Sequence, residues 1–258
     1  MKSDDKSRRL RERMRLSLPV RVYCRETLER EWTEMTRLLD VTPFGAAFSL
    51  AHPTEPGRLL QLTMAMPRQL RCYDHVEMQY SVWSLVRHIQ LLTAEEGKGG
   101  GAASKATGLR FSVGVAFIGK RAPASYDKDP TTRYEVAPNP SANGLWEIRE
   151  RTEEASQSAV SRSKDTRLQL PVEVVVEVLD EQGNVEAREE TVTENISRRG
   201  AAVWTTLDIG RGRFVRLTGV RAQLSVFAAV RACRSGADGI LRLHLEFIDR
   251  QWPLEGVE

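Results

Sequence analysis

The sequence predicts an all-β protein made of two tandem small closed barrels, joined by a linker with a short helix. Three observations predict this class: the second half of the 258-residue chain repeats the first, each copy holds short strands of even spacing, and each copy shows hardly any helical pattern. The five ordered matches pair residues 18–22 with 170–174, 40–47 with 195–202, 57–62 with 212–217, 82–87 with 226–231, and 117–120 with 247–250. Five matches in one order make chance a poor explanation for the repeat.

Alternating segments rich in β-branched residues predict the strands of the first copy. In chain order these strands are residues 18–25, 32–41, 45–50, 59–64, 76–93 and 108–118. A turn after the third strand is marked by Pro53, Pro56 and Gly57. Residues 97–105 consist mainly of Gly, Ala and Ser and lack the GxxxxGK[ST] spacing, so they predict a flexible hairpin loop and not a phosphate-binding loop. That loop and an insertion around residues 67–80 make the first copy longer than the second.

Proline-rich composition from residue 120 to 143 predicts a linker between the copies. Asn143 is predicted to cap a helix from residue 144 to about 158, whose thin apolar stripe would pack on a domain by one face. The expected units are residues 1–120 (first barrel with its N-terminal arm), 121–160 (linker and helix) and 161–258 (second barrel).

Composition excludes several classes of protein. No apolar run approaches the roughly 20 residues that a membrane helix needs, and the polar start is unlike a secretory signal, so we expect a cytoplasmic protein with no membrane span. The three cysteines, Cys24, Cys72 and Cys233, are far apart and form no CxxC pair, which argues against disulfides and a zinc site. A net charge of +3 is too small to predict DNA binding.

Catalytic chemistry has no support in the sequence. The four histidines, His52, His75, His88 and His244, lack the spacing of metal ligands or of a catalytic triad. No nucleophile has a base at a recognisable distance along the chain. We therefore expect no enzyme, no catalytic residue, no metal and no cofactor.

A turn motif occurs once in each copy, at residues 40–45 and 195–200. Each motif has an aspartate or asparagine, an apolar residue, a hydroxyl residue, two variable positions and a glycine, and a strand of small residues follows. Short polar side chains of this kind bond nearby backbone N–H groups and favour turns. The glycine suits either a positive φ or the close approach of another group. Such a turn can present polar groups to a ligand.

The first 15 residues carry five arginines and two lysines. A charged block of this kind is either a solvated tail or an arm that binds phosphate. Guanidinium groups bind phosphate bidentately and stack on flat bases, which lysine does less well. The excess of arginine favours recognition of a nucleotide-like anion.

The chain resembles the PilZ domain family in four features taken together. These are the turn motif, the arginines before the first strand, the strand that begins with Leu18-Pro19-Val20, and the internal repeat. That family is marked by an RxxxR element before the first strand and a [DN]xSxxG turn after the second. The turn alone is weakly specific, but the combination is considerably more specific and covers nearly the whole chain. The resemblance implies a six-stranded antiparallel barrel in each copy. It also implies the bacterial messenger cyclic di-GMP as ligand, with arginines around its phosphates and guanine faces and the turn at a guanine edge.

In the first copy, Arg9 and Arg13 satisfy RxxxR, and Arg13 stands six residues before Pro19, as is usual in the family. Arg11 and Arg15 also satisfy the spacing, so the register stays open.

The first turn departs from the family at its hydroxyl position and at the residue after it. Thr42 replaces the expected serine but keeps the hydroxyl, and Pro43 stiffens the turn. The ligand-binding residues that the resemblance implies are Arg8, Arg9, Arg13, Asp40, Thr42 and Gly45.

In the second copy, Asn195, Ser197 and Gly200 match the turn fully. Upstream, the register of the first arm falls on Ser161 and Asp165, and an aspartate there would repel phosphate. We therefore expect the second turn to be structural, with asparagine capping it and glycine taking the backbone angle.

The resemblance implies a receptor whose first barrel and arginine arm hold cyclic di-GMP. The arm would become ordered when the ligand neutralises its charges, and the second barrel would dock a protein partner or form a homodimer. The alternative is a degenerate PilZ-like scaffold that binds protein partners without nucleotide. Thr42, Pro43 and the incomplete second arm favour that alternative.

Overall fold

The computed structural model describes residues 14–92, 108–137, 145–151 and 167–254. They form two closed barrels, each of six antiparallel strands. The predicted all-β fold, with two six-stranded barrels and a short helix in the linker, is confirmed.

The first barrel closes in the strand order β1-β2-β3-β6-β5-β4. Its strands are β1 (Pro19–Arg25), β2 (Glu31–Thr42), β3 (Gly45–Leu50), β4 (Leu59–Met64), β5 (Tyr80–Leu92) and β6 (Arg110–Gly119). Side chains alternate between core and surface, so Val20, Val22 and Cys24 of β1 are fully buried. The fifth strand begins four residues later than predicted, because residues 76–79 belong to an exposed loop.

The linker contains the helix α1 (Ala124–Lys128) and a pair of short strands, β7 (Tyr134–Val136) and β8 (Ile148–Glu150). The predicted helix from residue 144 is wrong over residues 145–151, and its remaining part lies outside the described residues. Tertiary pairing outweighs the weak helical stripe there. Arg149 bonds Glu135 across the strand pair at 2.6 Å, and Ile148 packs against a buried cluster that includes Tyr134.

The second barrel repeats the strand order of the first, as β9-β10-β11-β14-β13-β12. Its strands are β9 (Glu173–Leu179), β10 (Val185–Ile196), β11 (Gly200–Thr205), β12 (Phe214–Gly219), β13 (Ser225–Ser235) and β14 (Leu241–Phe247). The sequence repeat is therefore a repeat of structure.

One of the five sequence matches is wrong by two residues. Val22 pairs with Leu62, and Val176 pairs with Leu217, which is the repeat equivalent of Leu62. Val22 therefore corresponds to Val176, whereas the match of residues 18–22 with 170–174 assigns it to Val174. A slip of two residues keeps every side chain on its own face, so the apolar pattern cannot detect it.

The two barrels pack directly on each other. The ring of Phe227 lies 4.6 Å from that of Phe111 and stacks on Phe214 at 5.2 Å, measured between centroids. The backbone N–H of Leu109 donates to the carbonyl of Gly183 at 2.9 Å. Apolar and polar contacts therefore join the barrels along one seam.

Candidate functional site

The hydroxyl of each turn motif is used inside its own turn. Thr42 Oγ1 accepts from the backbone N–H of Phe44 at 3.2 Å and donates to the carbonyl of Gly45 at 3.3 Å. Ser197 Oγ makes the equivalent bonds, accepting from Arg199 N–H and donating to Gly200, both at 3.2 Å. Threonine therefore preserves the turn geometry that serine gives the second copy.

Each motif glycine allows a neighbouring strand to approach closely. A Cβ on Gly45 would overlap the carbonyl oxygen of Val115, and a Cβ on Gly200 would overlap that of Leu245. Neither glycine is among the residues with positive φ. The expectation that Gly200 supplies a special backbone angle is wrong, and close strand approach is the reason for glycine at both positions.

The first residue of each motif follows a register shift between two strands. In β2 the shift lies between Leu38 and Asp40, and Asp40 then pairs with Ala47. In β10 the corresponding shift precedes Asn195. Bulges of this kind re-aim side chains and are frequent beside functional sites.

Asn195 does not close its turn in the expected way. Its Oδ1 is buried and has no hydrogen-bond partner among the described residues. The expectation that this side chain caps the turn is therefore wrong for Oδ1, and the hydroxyl of Ser197 closes the turn instead.

The arginine arm joins the first barrel beside the Asp40 turn. Met14 and Val41 exchange two backbone hydrogen bonds, at 3.1 and 3.0 Å. Arg8, Arg9 and Arg13 lie outside the described residues. Since Arg13 directly precedes Met14 in the sequence, the bridge fixes the end of the arm next to Asp40.

The second copy makes the same bridge, between Leu168 and Ile196, at 2.8 and 2.9 Å. Arg167 precedes Leu168 as Arg13 precedes Met14. The expectation that Asp165 takes the place of Arg13 is therefore wrong, and the reason is the two-residue slip.

Several charged side chains surround the second turn. Burial lowers the pKa of His244 on β14, Arg234 and Arg167 lower it further, and Glu194 opposes them. Arg198 is exposed in the turn itself. Arg167, Arg198 and Arg234 therefore lie near this corner together with Glu194.

The insertion at residues 67–80 packs against the first turn, where the thiol of Cys72 donates to the carbonyl of Pro43 at 2.8 Å. Inside the insertion, the buried guanidinium of Arg71 donates to four backbone carbonyls, those of Met66, Asp74, Glu77 and Met78. Arg71 thus holds the loop next to the turn in one shape. No spacing in the sequence indicates this role.

The described residues contain neither a cluster of metal-ligating side chains nor a membrane-spanning helix. Within the described ranges, no group of three His, Cys, Asp or Glu side chains could hold a metal ion. Of the helices in the described part of the chain, none has the length and apolar character needed to cross a membrane.

No family model and no curated protein matches the sequence. Among solved structures, the fold is similar to the Bacillus subtilis inhibitor of motility MotI/DgrA (12% identity, TM-score 0.29, covering 92% of this chain and 90% of that one). It is also similar to K. pneumonia MrkH in its apo state (7% identity, TM-score 0.28, covering 91% of this chain and 80% of that one). A further similar structure is Escherichia coli YcgR in complex with c-di-GMP (10% identity, TM-score 0.27, covering 90% of this chain and 76% of that one). At these TM-scores the similarity assigns no ligand to this chain.

Proposed function

We propose that this protein is a cytoplasmic receptor for cyclic di-GMP and not an enzyme, with the ligand held by the first barrel and its arginine arm. The observation that supports this most directly is the bridge between Met14 and Val41, which anchors the arm at the Asp40 turn. Met14, which directly follows Arg13 in the sequence, lies beside the PilZ-like turn, and this supports a site that the turn and the arm share.

The ligand's chemistry suits this corner. Each of its two phosphates carries a negative charge that Arg9 and Arg13 can bind bidentately. The carboxylate of Asp40 can accept from the N–H groups on the edge of a guanine. The arm's positive charges repel one another until the phosphates neutralise them, so binding would order the arm and change the surface offered to a partner.

The corner of the second barrel is a second candidate site. It is favoured by the position of Arg167 and by Oδ1 of Asn195, which is buried without a hydrogen-bond partner in the described part of the chain. In the first proposal, the second barrel instead serves docking to a protein partner or formation of a homodimer.

Calorimetric titration of the full-length protein with cyclic di-GMP tests both sites. We expect the parent to bind and the double variant Arg9→Ala/Arg13→Ala to lose at least about a hundredfold in affinity, because hydrogen bonds to charged groups contribute about 1.5–3 kcal/mol each. The matched second-barrel variant Arg167→Ala/Asn195→Ala should bind like the parent, as should Arg221→Ala at an exposed position.

If only Arg167→Ala/Asn195→Ala loses affinity for cyclic di-GMP, the site lies in the second barrel. A parent that binds no cyclic di-GMP would leave the scaffold alternative, in which the barrels bind protein partners without nucleotide.

A further inference from the structure

A row of paired residues crosses the outer face of the first barrel from Asp40. Asp40 pairs with Ala47, Ala47 with Gly114, and Gly114 with His88, on strands β2, β3, β6 and β5. Neighbouring strands lie about 4.8 Å apart, so the row spans about 14 Å. The alternate residues of β3 and β6 point into the core, which places this row on the surface.

Both ends of the row come directly after a register shift. One shift precedes Asp40 in β2, and the other lies between Val86 and His88 in β5. A bulge turns the following side chain away from its regular direction. A register shift therefore sets the direction of both the Asp40 and the His88 side chains.

The imidazole of His88 leans from β5 onto Gly114. A Cβ on Gly114 would overlap this ring, and the ring atoms nearest to it are Cε1, Nε2 and Nδ1. The nitrogen-bearing edge is therefore turned toward β6. Gly114 is buried beneath the ring, while Ala47 stays partly exposed as a flat floor between the imidazole and Asp40.

The second barrel contains the same row with the imidazole moved by one strand. Asn195 pairs with Ala202, Ala202 with His244, and His244 with Ala232. Register shifts again precede Asn195 and Ala232. Each row thus contains an aspartate or asparagine, an alanine next to it, and a histidine paired with a glycine or an alanine.

We infer that His88 is a base-contacting residue of the first-barrel site: a guanine lies over Ala47, with one edge at Asp40 and the opposite edge at the imidazole. This inference rests on the proposed function. Guanine offers two acceptors, N7 and O6, on that opposite edge, whereas adenine offers one acceptor and one donor. A ring N–H of His88 therefore favours guanine over adenine, so this residue contributes to the choice of nucleotide.

The test titrates the full-length parent and its variants with cyclic di-GMP and with cyclic di-AMP. We expect His88→Ala to weaken binding of cyclic di-GMP about tenfold and to reduce the preference over cyclic di-AMP. Gly114→Ala should do the same, because the added methyl displaces the ring while keeping the imidazole. His75→Ala, at an exposed histidine outside the row, should leave both affinities unchanged, and thermal unfolding should show that each variant is folded.

The outcomes separate this inference from the function on which it rests. A parent that binds no cyclic di-GMP removes the proposed function. A parent that binds, with affinity and selectivity unchanged in His88→Ala, overturns the role of His88 alone. If His244→Ala weakens binding of cyclic di-GMP and His88→Ala does not, the assignment to the row of the first barrel is overturned. Should Gly114→Ala unfold, His88→Ala decides by itself.

Discussion

At the scale of single residues, the motif glycines determine how closely two strands pass. Gly45 and Gly200 each face a backbone carbonyl of the adjacent strand, and a carbonyl in a paired strand has little freedom to move. Since neither glycine has a positive φ, the requirement is one of space and not of backbone angle. The motif therefore contributes to barrel closure in both copies, whether or not a ligand binds there.

Gly45→Ala and Gly200→Ala should each destabilise the protein by about 1–3 kcal/mol, the usual cost of overpacking. Gly210→Ala is the matched control, because a Cβ at Gly210 meets no atom within 4 Å. Urea unfolding measures the three changes. Equal stability of Gly45→Ala and Gly210→Ala would contradict the close-approach explanation.

At the scale of elements, the linker acts as a strap on the first barrel. Its helix α1 contributes Tyr126, which packs with Tyr134, Leu59 and Leu85 in a buried cluster. The hydroxyl of Tyr126 accepts from Arg25 N–H at 3.1 Å and donates to the Arg25 carbonyl at 3.0 Å. The strap therefore stabilises the end of β1 at Arg25 by both packing and hydrogen bonds.

Tyr126→Phe should cost about 1 kcal/mol, because it removes the hydrogen bonds but keeps the ring. Tyr126→Ala should cost about 3–5 kcal/mol, because it also empties the cluster. The control is Tyr23→Phe, which removes a hydrogen bond to Glu31 at an exposed site and should change stability by less than about 0.5 kcal/mol. A loss in Tyr126→Ala no larger than in Tyr126→Phe would show that the strap's packing contributes little.

At the scale of the whole molecule, one buried carboxylate joins three parts of the chain. Glu55, in the loop after β3, bonds Arg133 of the linker and Arg231 of the second barrel, each at 2.6 Å. Burial raises the pKa of Glu55, but Arg133 and Arg231 outweigh it and bring the pKa to about 2, below the ordinary value of 4.5. The carboxylate thus stays charged where it is buried, because its partners come from both sides of the seam.

The lowered pKa of Glu55 gives stability a predictable dependence on pH. Because the folded pKa lies below the unfolded one, this contribution is present above about pH 5 and is lost as the pH falls toward 2. Glu55→Gln should cost about 2–3 kcal/mol at pH 7, since it leaves the buried Arg58 without its carboxylate while Arg133 and Arg231 are partly exposed and screened by water. The variant should also flatten this acid dependence.

Denaturant unfolding at pH 7, 5 and 3 measures the effect. The matched control is Glu190→Gln, which breaks a surface ion pair with Arg188 and should cost less than about 1 kcal/mol at every pH. The same acid dependence in Glu55→Gln as in the parent would contradict the role of Glu55.

Local chemistry was sufficient to predict much of this molecule. A period of two identifies strands, so most first-copy strands were predicted within a few residues. The motif hydroxyl identifies each turn, because its hydrogen bonds go to residues that are adjacent in the chain. The repeat then predicted that both halves share one fold, as the two strand orders confirm.

The tertiary structure decided what depends on residues far apart in the chain. The two-residue slip that aligns Arg167 with Arg13 leaves every face unchanged, so only strand pairing reveals it. Residues 148–150 became a strand because a partner strand was available, against a weak helical pattern. His88 likewise meets Gly114 only through pairing between strands. Sequence therefore determined the kind of barrel and its turns, whereas the seam and the surface row required closure of the sheets, because closure alone brings distant side chains together.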